Sequence, residues 1–287
     1  MRVSERLAYF VCRNLNRIAG YHVLAEPQPT PWDLHFRVLG VPVRISPWFW
    51  VAAALLGWNL ISDPELEMNL GVALLIWSAA VLVSILIHEL GHALTFRYFG
   101  VPSHIVLYHF GGLAIPERSF RSHGQGATDD PKRQMLISFA GPAAQLLLAI
   151  VAAALFLAAG YRVINPLPSI HALDFLNHGK PLPSAAVAIL QISLIYSSVW
   201  WALLNLLPVY PLDGGQISRE AFTLHNPREG IRYSLILSIV AGGAVAFWGL
   251  SHHDTFLAIM FLMLAYSSYA TLQAYMGRGG GFGGDTW

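Results

Sequence analysis

Six apolar stretches, each close to the roughly 20 residues a helix needs to cross a hydrocarbon core, limit this chain to a polytopic membrane architecture. They run over about 47–62, 69–96, 133–159, 184–207, 231–250 and 254–275. Only 11% of residues are charged and mean hydropathy is +0.51, a profile unlike that of a soluble domain. The fold class expected is an all-α polytopic membrane protein of about six transmembrane helices. A small N-terminal β-hairpin and one re-entrant segment complete it.

The hairpin is read from residues 26–46, which are Pro-rich and then alternate. Leu34, Phe36 and Val38 are separated by Gly40 from Val41, Val43 and Ile45. Further upstream, Leu7, Phe10, Val11, Leu15 and Ile18 recur at helical spacing with Arg6, Arg13 and Arg17 on another face. That is the pattern of an amphipathic helix at a membrane surface, with a frayed polar leader as the plainer alternative. The early apolar run, Leu7 to Cys12, is too short for a cleavable signal peptide. Residues 100–117 are too apolar for a solvated loop, and exposed irregular backbone is not tolerated in lipid, so a re-entrant segment is expected there. Three regions result: a surface region 1–46, a six-helix region 47–276 whose core is about 69–215, and a flexible Gly-rich tail 277–287.

Basic residues orient the spans without reference to any motif. With the N-terminus cytoplasmic, fifteen of the seventeen Lys and Arg residues fall in inside segments, leaving only Arg162 and Lys180 outside. Both termini are therefore expected in the cytoplasm of a multi-pass cell-membrane protein. The net charge of +1 offers no basic footprint for nucleic acid, so no nucleic-acid partner is expected. The single cysteine, Cys12, excludes an internal disulfide and any Cys-rich metal site.

The chemistry concentrates in His88-Glu-Leu-Gly-His92. Histidines four apart place both imidazoles on one helix face, and Glu89 stands beside them as a base, the pattern of an HExxH zinc site. No charge interrupts Leu70 to Ile87, which puts His88 roughly 27 Å along that helix, near the cytoplasmic boundary of the core. An intramembrane acid is costly and by default faces a polar cavity. The bland alternative is a set of residues capping a helix at the interface.

A catalytic zinc site usually has three protein ligands, so a third must come from elsewhere. Asp213 is the best candidate, in the run Asn205-Leu-Leu-Pro208-Val-Tyr-Pro211-Leu-Asp213-Gly214-Gly215. The second and fourth spans end on the same membrane side, and a break at Pro208 and Pro211 lets the chain fold back. Alternatively, Asp213 is a turn residue before Gly214. His104 and His109 lie near this region as gating or, more commonly, packing histidines. His252, His253 and Asp254 read as a solvated turn.

Three matches now carry a resemblance: HELGH on an apolar span, NxxPxxPLDGG at 205–215, and Phe110-Gly111-Gly112 between them. In this order and spacing the chain resembles the site-2 protease family of intramembrane zinc metalloproteases. The resemblance implies one Zn²⁺ per chain held by His88, His92 and Asp213, with Glu89 as general acid/base. It also implies that Asn205, with Gly111 and Gly112, holds the substrate backbone extended. Supporting positions are Gly141, Pro142, Gln145, Pro208, Pro211 and Gly214. Gln145 departs from the family, which commonly has asparagine there, and Gly141 and Pro142 serve equally well in helix packing and kinking.

The implied function is a zinc metalloendopeptidase that cleaves membrane protein substrates within or next to a transmembrane segment, near the cytoplasmic side. Its partners are then such a substrate and the lipid bilayer. The alternative is an inactive zinc-binding scaffold or chaperone, against which the retention of Glu89 argues. The chain has no room for the PDZ or CBS domains of larger members, so a compact member is expected.

Overall fold

The computed structural model describes residues 26–61, 68–109, 111–117 and 130–279. The amphipathic segment at 7–18, Phe110 and the tail beyond 279 lie outside the described residues. The chain divides into two compact units, and within the described residues the larger comprises 26–117 and 140–204.

The larger unit starts with the expected hairpin, β1 (Leu34–Val38) and β2 (Val41–Ile45), paired antiparallel with Val38 opposite Val41. Its two-residue turn, Leu39-Gly40, takes positive φ at both positions (50° and 83°), the twist that suits a tight hairpin. Helix α1 (Pro47–Ile61) and helix α2 (Leu70–Tyr98) follow. The chain then returns to the same sheet. β3 (Ser103–Tyr108) pairs parallel with β2, and β4 (Gly111–Pro116) pairs antiparallel with β3. The sheet order is β1-β2-β3-β4.

The segment expected as re-entrant backbone is thus a β-hairpin, and the N-terminal hairpin is half of a four-stranded sheet. The physical reason is hydrogen bonding. Apolar backbone in this setting must satisfy its own N–H and C=O groups, and a second hairpin docked on β2 does so.

Alternation decides which face of β2 is inward: Val41, Val43 and Ile45 are buried together with Ile105 and Leu107 of β3. Against them pack Phe49 and Ala53 of α1 and Ala73, Trp77, Val81, Ile85, Leu90 and Ala93 of α2. Trp77 donates from Nε1 to the Ala53 carbonyl at 2.7 Å, and a Cβ at Gly57 would fall on its ring, so α1 and α2 meet where Gly57 has no side chain. Asn69 caps α2, its side chain accepting from the Gly71 N–H at 2.9 Å.

Helix α3 (Pro131–Ala158) contributes its part from Ala140 to this unit, as does α4 (Ala185–Asn205) up to Leu204. Between them the chain forms a 3₁₀ turn, His171–Asn177, and a second apolar cluster of Ala149, Ala152, Val163, Leu176, Ile195 and Val199. Buried Gln191 fastens that loop to α4. Its Nε2 donates to the Arg162 carbonyl at 3.0 Å and its Oε1 accepts from the Ile164 N–H at 3.1 Å.

The smaller unit comprises, among the described residues, 130–139 and 205–279. Helix α5 (Asp213–His225) is short and polar, whereas α6 (Gly230–Ser251) and α7 (Thr255–Gly279) form an apolar helical hairpin. Gly242 faces Ala265 and Gly249 faces the Ala258 backbone, so the two helices approach closely through small residues. Helix α7 continues through Gly279, so the first three residues of the expected tail are helical.

Among the described residues, five helices are long and apolar enough to cross a membrane: α2, α3, α4, α6 and the Thr255–Met276 part of α7. The stretch expected as the first span forms α1, whose 15 residues reach about 22 Å, short of the ~30 Å hydrocarbon core.

Candidate metal centre

Ser84, His88 and His92 occupy one stripe of α2 at four-residue intervals, and all three are buried. The His88 and His92 rings stand edge to face, 4.8 Å between centroids, with their Nε2 atoms 3.1 Å apart. Glu89, also buried, lies beside them on the same turn.

Glycines make the room. A Cβ built at Gly141 of α3 would fall on His92 Nε2 and lie 2.9 Å from His88 Nε2. A Cβ at Gly112 of β4 would overlap the Glu89 side chain, and one at Gly111, where φ is +116°, would sit 2.9 Å from the Trp201 ring. Gly91, inside the HELGH run, meets the Ala140 carbonyl, bringing α2 and α3 into backbone contact. Pro142 lies inside α3 and cannot donate the intrahelical bond there. Gln145, one turn beyond Gly141, is fully buried and reaches His88. Its Oε1 is 3.0 Å from His88 Nδ1, and its Nε2 donates to Ser84 Oγ at 2.7 Å.

Tyr108 of β3 is buried, and its hydroxyl pKa is raised by burial and by the negative charge of Glu89. That phenol stays protonated at neutral pH. It was not singled out from the sequence, because an aromatic at the end of an apolar strand ordinarily reads as core.

Asp213 is set up within the smaller unit. Helix α4 ends at Asn205, which is partly buried, and the chain turns through Pro208 and a cis Tyr210–Pro211 bond into α5, whose first residue is Asp213. A Cβ at Gly214 would strike the Leu206 carbonyl, and one at Gly215 the backbone of Val209 and Tyr210. The Asp-Gly-Gly run therefore exists because the chain folds flat against itself.

Two buried serines hold this loop. The Tyr210 N–H donates to Ser238 Oγ of α6 at 3.0 Å, and Ser268 Oγ of α7 donates to the Tyr210 carbonyl at 3.1 Å. The Asp213 carboxylate, buried, sits at the positive end of the α5 dipole.

His88, His92 and Asp213 each offer one ligand atom, and these atoms lie within 4.8 Å of one another. The donor set suits a divalent metal. Two imidazole nitrogens and a carboxylate match the ligands of catalytic zinc sites, and tetrahedral Zn–N bonds of 2.0–2.1 Å require nitrogens about 3.3 Å apart. The observed 3.1 Å is close to that.

His104 is engaged elsewhere, 3.7 Å from Glu26 and 3.9 Å from Glu117, and His109 packs edge-on against Tyr108. His252, His253 and Asp254 lie at an exposed turn between α6 and α7.

Residues 76–247, more than half of the chain and including every residue of the metal group, match the model of peptidase family M50. The chain belongs to peptidase family M50. It is 28% identical over 189 residues to a provisionally named zinc metalloprotease of Synechocystis sp., covering 64% of this chain and 42% of that protein. It is 24% identical over 188 residues to a zinc metalloprotease of Methanocaldococcus jannaschii, covering 64% and 43%. The solved site-2 protease from M. jannaschii aligns over 84% of this chain and 95% of that one, at 18% identity and a TM-score of 0.49. The M50 chain spans about two fifths of the length of the curated relatives it matches.

Proposed function

We propose that this M50 chain is an intramembrane zinc endopeptidase that hydrolyses peptide bonds within or beside a transmembrane segment of a membrane protein, near the cytoplasmic side. The observation that carries the reading is the buried His88, His92 and Asp213 group with Glu89 next to it. The names of the relatives support zinc.

His88 Nε2, His92 Nε2 and one Asp213 oxygen would hold one zinc ion. Zinc, when bound, polarises the scissile carbonyl and acidifies a water molecule. Glu89 receives the proton of the attacking water and delivers it to the leaving amine, so that one carboxylate serves as base and then acid. The Gly112 Cα hydrogens leave its carboxylate space to move between these positions.

A transmembrane substrate helix satisfies its own amides and must unwind before a carbonyl can approach. Strand β4 is an edge of the sheet, carries Gly111 and Gly112, and lies against Glu89. It offers an unfolded segment backbone partners by strand addition, and Asn205 helps to hold the substrate backbone extended. The bias of basic residues supports cytoplasmic termini, with α1 crossing where the bilayer thins to meet it.

The test is purified full-length protein incubated with a labelled single-span substrate. Wild type should cleave it, a chelator should stop cleavage, and Glu89→Gln should bind one equivalent of zinc without cleaving. Cleavage by Glu89→Gln at the wild-type rate would overturn the assignment.

A further inference from the structure

Resting on the zinc reading, we infer that Gln145 is a positioning residue that fixes the tautomer and orientation of His88 through a buried chain, Gln145–Ser84–Ser198, tying α2, α3 and α4 together. Gln145, Ser84 and Ser198 have no solvent exposure. The Gln145 amide spans one helical turn of α2, with Oε1 at His88 Nδ1 (3.0 Å) and Nε2 at Ser84 Oγ (2.7 Å). Ser84 Oγ continues to Ser198 Oγ at 2.9 Å.

The direction of the chain follows from which groups can donate. A metal-binding nitrogen must present a lone pair, so a histidine that binds through Nε2 carries its proton on Nδ1. Nδ1–H then needs an acceptor, and the amide oxygen of Gln145 is in place. The amide nitrogen, a donor only, is thereby directed to Ser84, whose hydroxyl accepts it and shares a further hydrogen bond with Ser198. A reversed amide would place two donors against His88 Nδ1 and drive the proton onto Nε2, 3.1 Å from His92 Nε2. Ligand histidines are held in this way by carboxylates, carbonyls or water in metal sites generally, and here a neutral amide does it. A neutral partner suits the membrane interior, where a second buried carboxylate would add a desolvation cost. The extra methylene of glutamine has a use as well, since the amide must reach Ser84 and His88 together.

The experiment measures metal affinity and not only turnover. Full-length protein in detergent is stripped, then titrated with Zn²⁺ against a chromogenic chelator and with Co²⁺ followed by its visible ligand-field bands. Gln145→Leu, which keeps volume and removes both hydrogen bonds, should lower Zn²⁺ affinity 10- to 100-fold and shift the Co²⁺ bands, with unchanged far-UV circular dichroism. Gln145→Glu, which keeps an acceptor at Nδ1 and lets the Ser84 hydroxyl turn to donate, should recover affinity to within a few-fold.

Wild-type affinity and spectrum in Gln145→Leu would overturn the proposal, as would failure of Gln145→Glu to recover either. Should Gln145→Leu unfold, Ser84→Ala decides: a several-fold loss of affinity with a shifted spectrum supports the chain, and none refutes it. Wild-type protein that binds no zinc would instead overturn the zinc reading itself.

Discussion

Gly141→Ala sets two physical effects against each other. In a helix interior, alanine is favoured over glycine by about 1 kcal/mol, so propensity alone predicts a slightly more stable protein. At this position the new methyl lands on His92 Nε2 and 2.9 Å from His88 Nε2, whereas ordinary contacts begin near 3.4 Å. Helix α3 packs directly on the α2 backbone where Gly91 meets Ala140, so withdrawing it would open that close contact. The imidazoles must therefore retreat by about 1 Å, well outside the ±0.2 Å tolerance of a zinc site. A displacement of that size costs on the order of 100-fold in a preorganised site. We expect Zn²⁺ affinity and substrate cleavage each to fall by about 100-fold or more, while helix content and thermal unfolding in detergent match or exceed wild type. Chelator competition, circular dichroism and the substrate assay read these separately. Tight one-equivalent zinc binding by Gly141→Ala would refute the steric argument.

Two further outcomes follow from other residues. Gly112→Ala pushes on the Glu89 side chain and not on the ligands, so kcat should fall about 10- to 100-fold with zinc content unchanged, and wild-type turnover would refute the contact. For Asp33, burial works to raise the carboxyl pKa, but hydrogen bonds from Thr30 and Arg44 outweigh it and the pKa is lowered. Its contribution to the sheet is then complete above the ordinary carboxylate value of about 3.9 and lost as pH falls through the lower folded value. Asp33→Asn should remove that part of the acid transition in tryptophan fluorescence, and superimposable acid profiles would refute it.

How far the sequence reached differs element by element. All six apolar stretches became helices close to their expected bounds, the first falling short only in span length, because long charge-free segments in lipid have no other way to satisfy their backbone. The β1–β2 hairpin was legible in its period of two and its glycine. The second hairpin was not: residues 100–117 read as re-entrant backbone, and parallel pairing of β2 with β3 across two intervening helices leaves no local signal. Helix α5 was passed over for a similar reason, as its start looks like a turn until Gly214 and Gly215 are seen pressed against Leu206 to Tyr210.

The sequence alone placed His88, Glu89 and His92 on one helix face, since a spacing of four is a property of the helix itself. It could offer Asp213 only as a candidate, because 121 positions separate it from His92 and no periodicity operates over that distance. Tertiary structure decided the rest: that Ser238 and Ser268 pin Tyr210 ahead of Asp213, that Gly141 and Gly112 are spaces for other residues' side chains, and that Gln145 reaches His88 and Ser84 at once. Each depends on which helix faces which, a choice made by packing and buried hydrogen bonds that a linear pattern does not record.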